Sequence, residues 1–231
     1  MANERVSCRE IAAMIDHSLL NPLLTDPELE AGLDMALEYQ VASVCIMPFA
    51  LPRCVARLKG SPVKASTVVA FPHGDTPIDV KLFETEASLR AGCEEVDVVV
   101  NFSKVRSGDW DWIEREVALV TRLIHDAGQK VKWIFENCYL SDAQKVRLCE
   151  ICSGVNADWV KTSTGYGSGG ATDHDLELMR RHSPPHVRVK AAGGIRDLAA
   201  VLRVRQLGVD RVGASKTKEI LDECRERFPS D

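Results

Sequence analysis

The sequence predicts an α/β protein with a single (β/α)8 TIM barrel and a short extra helix at the N-terminus. Three observations support this fold class. Short apolar runs alternate with helix-like segments about eight times, the number of units in such a barrel. No linker or change in composition interrupts the 231 residues, so we expect one domain over 1–231. No G-x-G-x-x-G motif follows the first strand, which disfavours the alternative, an open doubly wound sheet.

The first half of the chain follows this pattern after an N-terminal helix, which we place in residues 1–12. The first strand lies in AMIDHSLLNP and ends around Asp16 and His17. The next helix is predicted to have Asp26 as its N-cap and Pro27 in its first turn. The next three strands are predicted at 41–48, 63–74 and 94–102. The helices that follow them are predicted at about 51–58, at Pro77–Ala91 and in an apolar-periodic segment that stops at Gly128.

The second half repeats the same unit. Strand five is KVKWIFENC, and a capping box of Ser141 and Gln144 begins the helix that follows it. Strand six ends with Lys161, and strand seven carries Lys190. The eighth strand, GVDRVGAS, leads into a final helix, KEILDECRERF.

Composition and charge argue against several classes of function. The net charge is -5 and no basic run occurs, so a nucleic-acid partner is not expected. No stretch approaches the roughly 20 apolar residues of a membrane span, and the N-terminus lacks the apolar segment of a signal peptide. We therefore expect a cytoplasmic protein without a membrane partner.

The cysteines and histidines do not show the spacing of a disulfide framework or a metal site. The eight cysteines are expected to be reduced thiols, and the C-x-x-C pair of Cys149 and Cys152 lies inside a predicted helix. Cys45, at a strand end, either faces the pocket or is a packed thiol, and we favour packing. Two prolines separate His182 from His186, so these residues do not form a helical metal pair. No metal or cofactor is expected.

The stretch ADWVKTSTGYGSGGAT, residues 157–172, contains the first candidate catalytic residue. It is typical of a strand, a glycine-rich loop and a helix, an arrangement whose free backbone N–H groups suit an anion. Period-two alternation directs Lys161, with Trp159 and Ser163, into the structure. Burial disfavours the ammonium form of a lysine, and the unprotonated amine is a nucleophile for carbonyl groups. The alternative is an ordinary solvated lysine.

A second lysine strengthens the catalytic interpretation. In HVRVKAAGGIRD, a strand delivers Lys190 into a Gly193-Gly194 turn. Two cationic groups that converge on one pocket are expected to lower each other's pKa. Active sites of barrels lie at the carboxyl ends of the strands, and both lysines have that position. Three further polar residues are expected near the same mouth: Asp16, Asn101 and Glu136.

These motifs make the chain resemble the deoxyribose-phosphate aldolase family, class I aldolases that join acetaldehyde to glyceraldehyde 3-phosphate. The resemblance runs nearly end to end, through IDHSLL, SVCIMP, VVAFPHG, EVDVVVN, ENCYLSD, DWVKTSTGYGSGGAT, VKAAGGIRD and RVGAS. The KTSTG and KAAGGI pieces are the specific ones, because they occur in order and at the family's separation.

The resemblance implies a role for three residues. Lys161 matches the lysine that forms the Schiff base with the aldehyde, Lys190 matches the lysine that keeps its neighbour deprotonated, and Asp97 matches the aspartate of the proton relay. The reaction that the resemblance implies interconverts 2-deoxy-D-ribose 5-phosphate with the two aldehydes and uses no cofactor. We also expect a homo-oligomer.

Small residues after strands six to eight are the candidate phosphate ligands, because their backbone N–H groups lie near helix starts. The candidates are Gly170, Gly193, Gly194, Gly213 and Ser215, with Gly193, Gly194 and Ser215 favoured. The alternative is that these glycines only form turns. Asp16 and Thr162 are further candidate substrate-binding residues, and a structural hydrogen bond is favoured for His17.

Three departures from the family pattern affect substrate detail more than reaction class: Lys216 after the final serine, His73 in the FPHG segment and Met47 before Pro48. Lys216 would either add a cation to the phosphate site or only start a helix. Two other functions stay open: a lysine aldolase for another phosphorylated sugar, and a non-catalytic barrel that binds a sugar phosphate.

Overall fold

A computed structural model describes residues 7–229, and its eight strands form a closed parallel barrel in sequence order. The last strand pairs with the first, which closes the barrel. The strands are β1 Ile15–Leu19, β2 Ser43–Ile46, β3 Lys64–Val69, β4 Glu95–Val99, β5 Lys130–Ile134, β6 Trp159–Lys161, β7 Arg188–Ala192 and β8 Arg211–Ala214. The predicted (β/α)8 barrel is therefore confirmed.

Helices follow the strands and form the outer layer of the barrel. They are α1 Cys8–Ala12, α2 Asp26–Tyr39, α3 Leu51–Leu58, α4 Ile78–Arg90, α5 Phe102–Ser107, α6 Trp110–Asp126, α7 Asp142–Gly154, α8 Asp173–Arg181, α9 Leu198–Gln206 and α10 Thr217–Arg227. Short 3-10 helices occupy Pro48–Ala50 and Asn137–Tyr139. The extra N-terminal helix is present as α1, while the predicted residues 1–6 lie outside the described range.

The strands have two chemically different faces, which separate the hydrophobic core from the lumen. In β4, Val96 and Val98 are fully buried and belong to the main hydrophobic cluster, together with residues of the surrounding helices. Asp97, between them, pairs in register with Val68 of β3 and Lys132 of β5. Because side chains alternate along a strand, Asp97 points to the opposite face, into the lumen.

The N-cap of helix α2 lies one residue before the predicted cap. The N-cap is Thr25, whose backbone N–H donates to the carboxylate of Glu28 at 2.8 Å in a capping box, and Asp26 is the first helical residue. The prediction of Asp26 as N-cap is wrong, because the Thr25–Glu28 pair satisfies the helix start one position upstream. Pro27 does lie in the first turn, as predicted. The predicted Ser141–Gln144 capping box is also present, at the start of α7.

The fourth unit contains two helices where the sequence indicated one. Strand β4 ends at Val99, short of the predicted residue 102, and Asn101 caps α5 by accepting a hydrogen bond from the Lys104 N–H at 3.1 Å. Gly108, with φ of 71°, ends α5, and Asp109 then caps α6. A left-handed residue interrupts the helical hydrogen bonds, which is why the segment divides there.

A covalent bond joins helix α1 to helix α10. Cys8 of α1 and Cys224 of α10 form a disulfide, with Cα atoms 5.8 Å apart. The expectation that all the cysteines are reduced thiols is therefore wrong for this pair. Only packing of the first helix against the last brings the two residues together across 216 positions of sequence.

No helix within residues 7–229 is long and apolar enough to span a membrane.

Candidate active site

Lys161, Lys190 and Asp97 converge inside the barrel. One carboxylate oxygen of Asp97, Oδ2, lies 2.7 Å from Nζ of Lys161 and 2.7 Å from Nζ of Lys190. All three residues are at most 3 % exposed. Lys161 ends β6 as predicted, whereas Lys190 lies in the middle of β7 and pairs in register with Lys161. A single carboxylate oxygen thus contacts the amino groups of both lysines.

The two lysines have opposite pKa shifts, so the expected lowering is found for Lys161 but is wrong for Lys190. Burial lowers the pKa of Lys161 below its ordinary value, and Lys190 adds to this effect against the opposing charge of Asp97. Burial also disfavours the charged form of Lys190, but Asp16 and Asp97 together raise its pKa above the ordinary value. Lys161 is therefore the lysine suited to act as a free amine, and Lys190 stays an ammonium.

Three charged residues that the sequence did not indicate complete the network in the lumen: Glu95, Lys132 and Arg211. Lys132 Nζ lies 2.5 Å from Glu95 Oε2 and 2.9 Å from Asp97 Oδ1. Arg211 Nη1 bonds to Asp16 Oδ1 at 2.6 Å and to Glu95 Oε2 at 3.0 Å. Burial would raise the pKa of Asp97, but the surrounding lysines hold it below its ordinary value, so its carboxylate stays ionised.

A cavity of about 260 Å³ opens from these lysines toward the carboxyl ends of β7 and β8. Four of the predicted phosphate ligands line it: Gly193, Gly194, Gly213 and Ser215. Gly193 and Gly194 have φ of 81° and 88°, left-handed values that favour glycine. Arg196, exposed in the loop after them, also lines the cavity and was missed, although it directly follows the GGI motif. This end of the cavity suits an anion.

Two predicted substrate-binding residues, Thr162 and Gly170, lie outside the lining of the cavity and have structural contacts. The hydroxyl of Thr162 exchanges hydrogen bonds with the backbone N–H and carbonyl of Ala192, each at 3.1 Å. Gly170 packs against the backbone of Gly193, so that a Cβ atom there would collide with the Gly193 carbonyl. Asp16 does line the cavity, but Lys190, Arg211 and Ser43 already bind its carboxylate. These contacts make Asp16 an orienting group for Lys190.

The other two polar residues expected at the mouth support the loops around it. Asn101 caps α5, as described above. Glu136 follows β5 with φ of 56°, and its carboxylate accepts hydrogen bonds from the backbone N–H of Thr164, at 3.3 Å, and from the Thr164 hydroxyl. Thr164 belongs to the glycine-rich loop after Lys161, so Glu136 holds this loop in place.

The opposite side of the cavity is apolar. Leu20, Cys45 and Val68 form a separate hydrophobic cluster, against which Met47 and Phe71 pack. The ring of Tyr166 meets Phe71 edge to face with centroids 5.5 Å apart, and its hydroxyl donates to the Leu20 carbonyl at 2.8 Å. Cys45 both lines the cavity and is 2 % exposed, and burial, with Asp97, raises its pKa to about 11. The two interpretations of Cys45 therefore both hold in part.

Three remaining candidates lie outside the lining of the cavity. Lys216 is the residue before α10 and pairs with Glu219 at 2.8 Å, which favours its helix-start role. His73 is exposed in the loop after β3. His17 is buried beside α10, with Nδ1 2.9 Å from the Thr217 hydroxyl, in agreement with the structural role favoured for it.

A group of potential metal ligands that the sequence pattern did not indicate lies at the starts of α7 and α8. Asp142, His174 and Asp175 bring their ligand atoms within 4.8 Å of one another. The ammonium of Lys145 already bonds to both carboxylates, at 3.1 Å and 2.6 Å. A cation would have to displace this ammonium, so the group is explained by its ion pairs.

Comparison with known proteins shows the family of this chain. The family model described as DeoC/LacD family aldolase matches residues 10–216. A deoxyribose-phosphate aldolase from Rhodopirellula baltica is 57 % identical over 95 % of this chain and 91 % of its own length. A deoxyribose-phosphate aldolase from Thermococcus kodakarensis is 40 % identical over 93 % of this chain and 96 % of its own.

A solved structure supports the same conclusion at the level of the fold. The tetrameric deoxyribose phosphate aldolase from Aeropyrum pernix superposes with a TM-score of 0.89 and 28 % identity, covering 96 % of this chain and 94 % of its own. The match to the family model begins within α1 and ends at the residue before α10. It therefore includes every strand and all the lumen residues described above. The chain belongs to the DeoC/LacD family of aldolases, and it is therefore a carbon–carbon lyase.

Proposed function

We propose that this enzyme interconverts 2-deoxy-D-ribose 5-phosphate with acetaldehyde and D-glyceraldehyde 3-phosphate through a Schiff base on Lys161. The observation that carries the proposal is the single oxygen of Asp97 that lies 2.7 Å from both Lys161 and Lys190 beside the cavity. Deoxyribose phosphate appears in the names of the relatives, and the two aldehydes are those that the sequence resemblance implies. The proposed chemistry uses no metal or organic cofactor.

In the first step the amine of Lys161 attacks the carbonyl carbon of acetaldehyde. The carbinolamine loses water and becomes an iminium, which withdraws electrons from the neighbouring methyl group. A methyl proton then moves to Asp97 Oδ2, directly or through one water, and leaves an enamine. Because Lys190 stays charged beside this oxygen, its ammonium stabilises the ionised carboxylate whenever the proton leaves again.

In the second step the terminal carbon of the enamine forms a bond to the carbonyl carbon of the acceptor aldehyde. The acceptor oxygen takes the proton that Asp97 removed, directly or through Lys190, and becomes the new hydroxyl group. Water adds to the iminium, the carbinolamine collapses, and the product leaves with the amine of Lys161 restored. The phosphate of the acceptor would lie at the glycine end of the cavity, near Gly193, Gly194 and Arg196.

Borohydride trapping tests the covalent step. The enzyme is incubated with acetaldehyde and borohydride, and its peptides are mapped by mass spectrometry. We expect one ethyl group on Lys161, no such group in a folded Lys161→Ala variant, and normal labelling of a Lys145→Met control, which replaces a buried lysine outside the lining of the cavity. A folded wild-type enzyme that acetaldehyde does not label would overturn the mechanism.

A separate experiment tests the identity of the phosphorylated substrate and the two alternative functions. Cleavage of deoxyribose 5-phosphate is compared with cleavage of unphosphorylated deoxyribose, in the wild type and in an Arg196→Met variant. We expect the substitution to raise KM about tenfold for the phosphorylated sugar alone. Labelling of Lys161 by acetaldehyde without cleavage of deoxyribose 5-phosphate would point to another sugar. Binding of the sugar phosphate without any labelling would support a non-catalytic barrel.

We also propose a cytoplasmic homo-oligomer that binds neither nucleic acid nor membrane. Exposed aromatic residues support self-association: Phe49 is 69 % exposed and Phe83 is 68 % exposed. The related Aeropyrum pernix enzyme is tetrameric. Light scattering of the purified enzyme, alone and as Phe49→Ser and Phe83→Ser variants, tests the assembly, and a monomer at all concentrations would contradict it.

A further inference from the structure

A third lysine lies in the lumen, and the mechanism above does not use it. Lys132, in the middle of β5, is fully buried. Its ammonium lies 2.5 Å from Glu95 Oε2, 2.9 Å from Asp97 Oδ1 and 3.4 Å from Asp16 Oδ2. Its Nζ also lies 5.5 Å from the centre of the Trp159 ring. A charge held by three carboxylates and an aromatic ring has a fixed position.

The two oxygens of Asp97 have different partners. Oδ1 accepts its hydrogen bond from Lys132, while Oδ2 accepts one from Lys161 and one from Lys190. Rotation of the carboxylate about its χ2 bond would break the contact with Lys132. Because the two oxygens are equivalent, what Lys132 helps to fix is the plane of the carboxylate, and with it the direction of the oxygen between the two other lysines.

We propose that Lys132 is a positioning residue for the aldolase reaction: it holds Oδ1 of Asp97, aims Oδ2 between Lys161 and Lys190, and draws negative charge away from Lys161. The inference rests on the proposed function, because it requires Lys161 to act as a free amine. Lys132 reaches the reacting atoms only through Asp97, which distinguishes its role from those of Lys161 and Lys190.

The charges around Lys161 determine the direction of the effect. Besides Lys161, the cations in the lumen are Lys132, Lys190, Arg211 and Arg188, which lies 3.4 Å from the centre of the Trp159 ring, and the carboxylates are Asp16, Glu95 and Asp97. They come from β1, β4, β5, β6, β7 and β8, and β2 adds the thiol of Cys45, whose pKa of about 11 keeps it neutral at neutral pH. Cations thus outnumber carboxylates, which favours the neutral amine of Lys161.

Removal of Lys132 changes the charges around Lys161 in two ways, and both changes should raise the pKa of Lys161. One positive charge near the Lys161 ammonium disappears, and the carboxylate of Asp97 loses the partner that neutralises it on the far side. Both changes stabilise the ammonium form of Lys161. The pH at which half of Lys161 is free to react should therefore rise.

The test is the pH dependence of borohydride trapping with acetaldehyde, in the wild type and in Lys132→Met. We expect the midpoint of labelling to move up by about one pH unit or more, so that labelling below the midpoint is about tenfold slower. Lys145→Met is the matched control, since Lys145 is also a buried lysine bonded to two carboxylates, and its midpoint should equal that of the wild type.

A second variant covers the case in which Lys132→Met does not fold. Lys132→Met combined with Glu95→Gln removes one charge of each sign, and because Lys132 contacts Asp97 directly, we expect the midpoint to rise here too. An unchanged midpoint in either folded variant would overturn the inference. If acetaldehyde does not label the wild type at any pH, the proposed function fails instead, so the two failures are distinguishable.

Discussion

Glu136 and Thr164 connect the loops after β5 and β6: the Glu136 carboxylate accepts hydrogen bonds from both the N–H and the hydroxyl of Thr164. The Thr164 hydroxyl in turn accepts a hydrogen bond from the Tyr166 N–H at 3.0 Å. Glu136 has a left-handed backbone, with φ of 56°, which non-glycine residues adopt only at a cost. The loop beside Lys161 therefore depends on a residue of the neighbouring strand.

Replacement of Glu136 by Ala should loosen this loop without touching the reacting atoms. We expect the free energy of unfolding to fall by roughly 1–3 kcal/mol, because the buried N–H of Thr164 loses its partner. The rate of aldol cleavage should fall by more than the labelling of Lys161 does. Urea unfolding and parallel activity and trapping assays measure the two effects. Thr164→Val keeps the hydrogen bond from the residue 164 N–H to Glu136, so it should lower the free energy of unfolding and the rate of cleavage by less. Equal effects of the two variants would contradict the role assigned to the Glu136 carboxylate.

Asp97→Asn separates Schiff-base formation from proton transfer. The carboxylate opposes the lowering of the Lys161 pKa, so its removal should lower that pKa further and preserve labelling by acetaldehyde. The amide cannot accept the methyl proton, and turnover should fall by about 10²–10⁴-fold. Trapping and steady-state cleavage are measured on the same preparation. Loss of labelling in a folded variant would show that Asp97 acts before the iminium forms.

His17 should make the stability of the protein depend on pH. Burial lowers its pKa from 6.5 to about 4, against the opposing charge of Glu219. Between these values His17 binds a proton in the unfolded chain but not in the folded chain. The contribution of neutral His17 to the free energy of unfolding is therefore complete above pH 6.5 and is lost as the pH falls toward 4. From pH 7 to pH 5 this single residue should remove about 2 kcal/mol from the free energy of unfolding.

Urea unfolding at both pH values, for the wild type and for His17→Asn, measures this contribution as a difference. The asparagine amide can replace Nδ1 as the partner of Thr217 but does not take up a proton. His73→Asn, which removes an exposed histidine, serves as the control and should behave like the wild type. The same pH dependence in all three proteins would refute the assignment to His17.

The Cys8–Cys224 disulfide predicts a definite thiol count. In denaturant without a reductant, six thiols should react, those of the cysteines at 45, 54, 93, 138, 149 and 152. After reduction all eight should react. Because the bond closes nearly the whole chain, Cys224→Ser should lower the free energy of unfolding by about 2–4 kcal/mol under oxidising conditions and have little effect under reducing ones. Eight reactive thiols before reduction would rule out the bond.

The sequence by itself determined the fold class and the family, and it indicated three residues that the structure brings together in the lumen. The alternation of apolar strands with amphipathic helices is local, so the barrel, the inward direction of Lys161 and most element positions could be predicted. The strand-end positions of the KTSTG and KAAGGI motifs indicated Lys161 and Lys190, and the resemblance to the deoxyribose-phosphate aldolase family indicated Asp97. Errors at this level were small shifts, such as the cap at Thr25 in place of Asp26 and the division of one helix at Gly108.

The tertiary structure decided how these groups affect one another. Periodicity shows which face of a strand a side chain is on, but not how deep in the lumen it lies or what faces it from other strands. For this reason Lys132 and Arg211 looked like ordinary strand residues, although both bind the carboxylates around the site. The pKa of Lys190 rises because of Asp16, which is 174 positions away in sequence, and the Cys8–Cys224 bond depends on the closure of the whole barrel. Electrostatic interactions follow distance in space, and only the folded chain determines that distance.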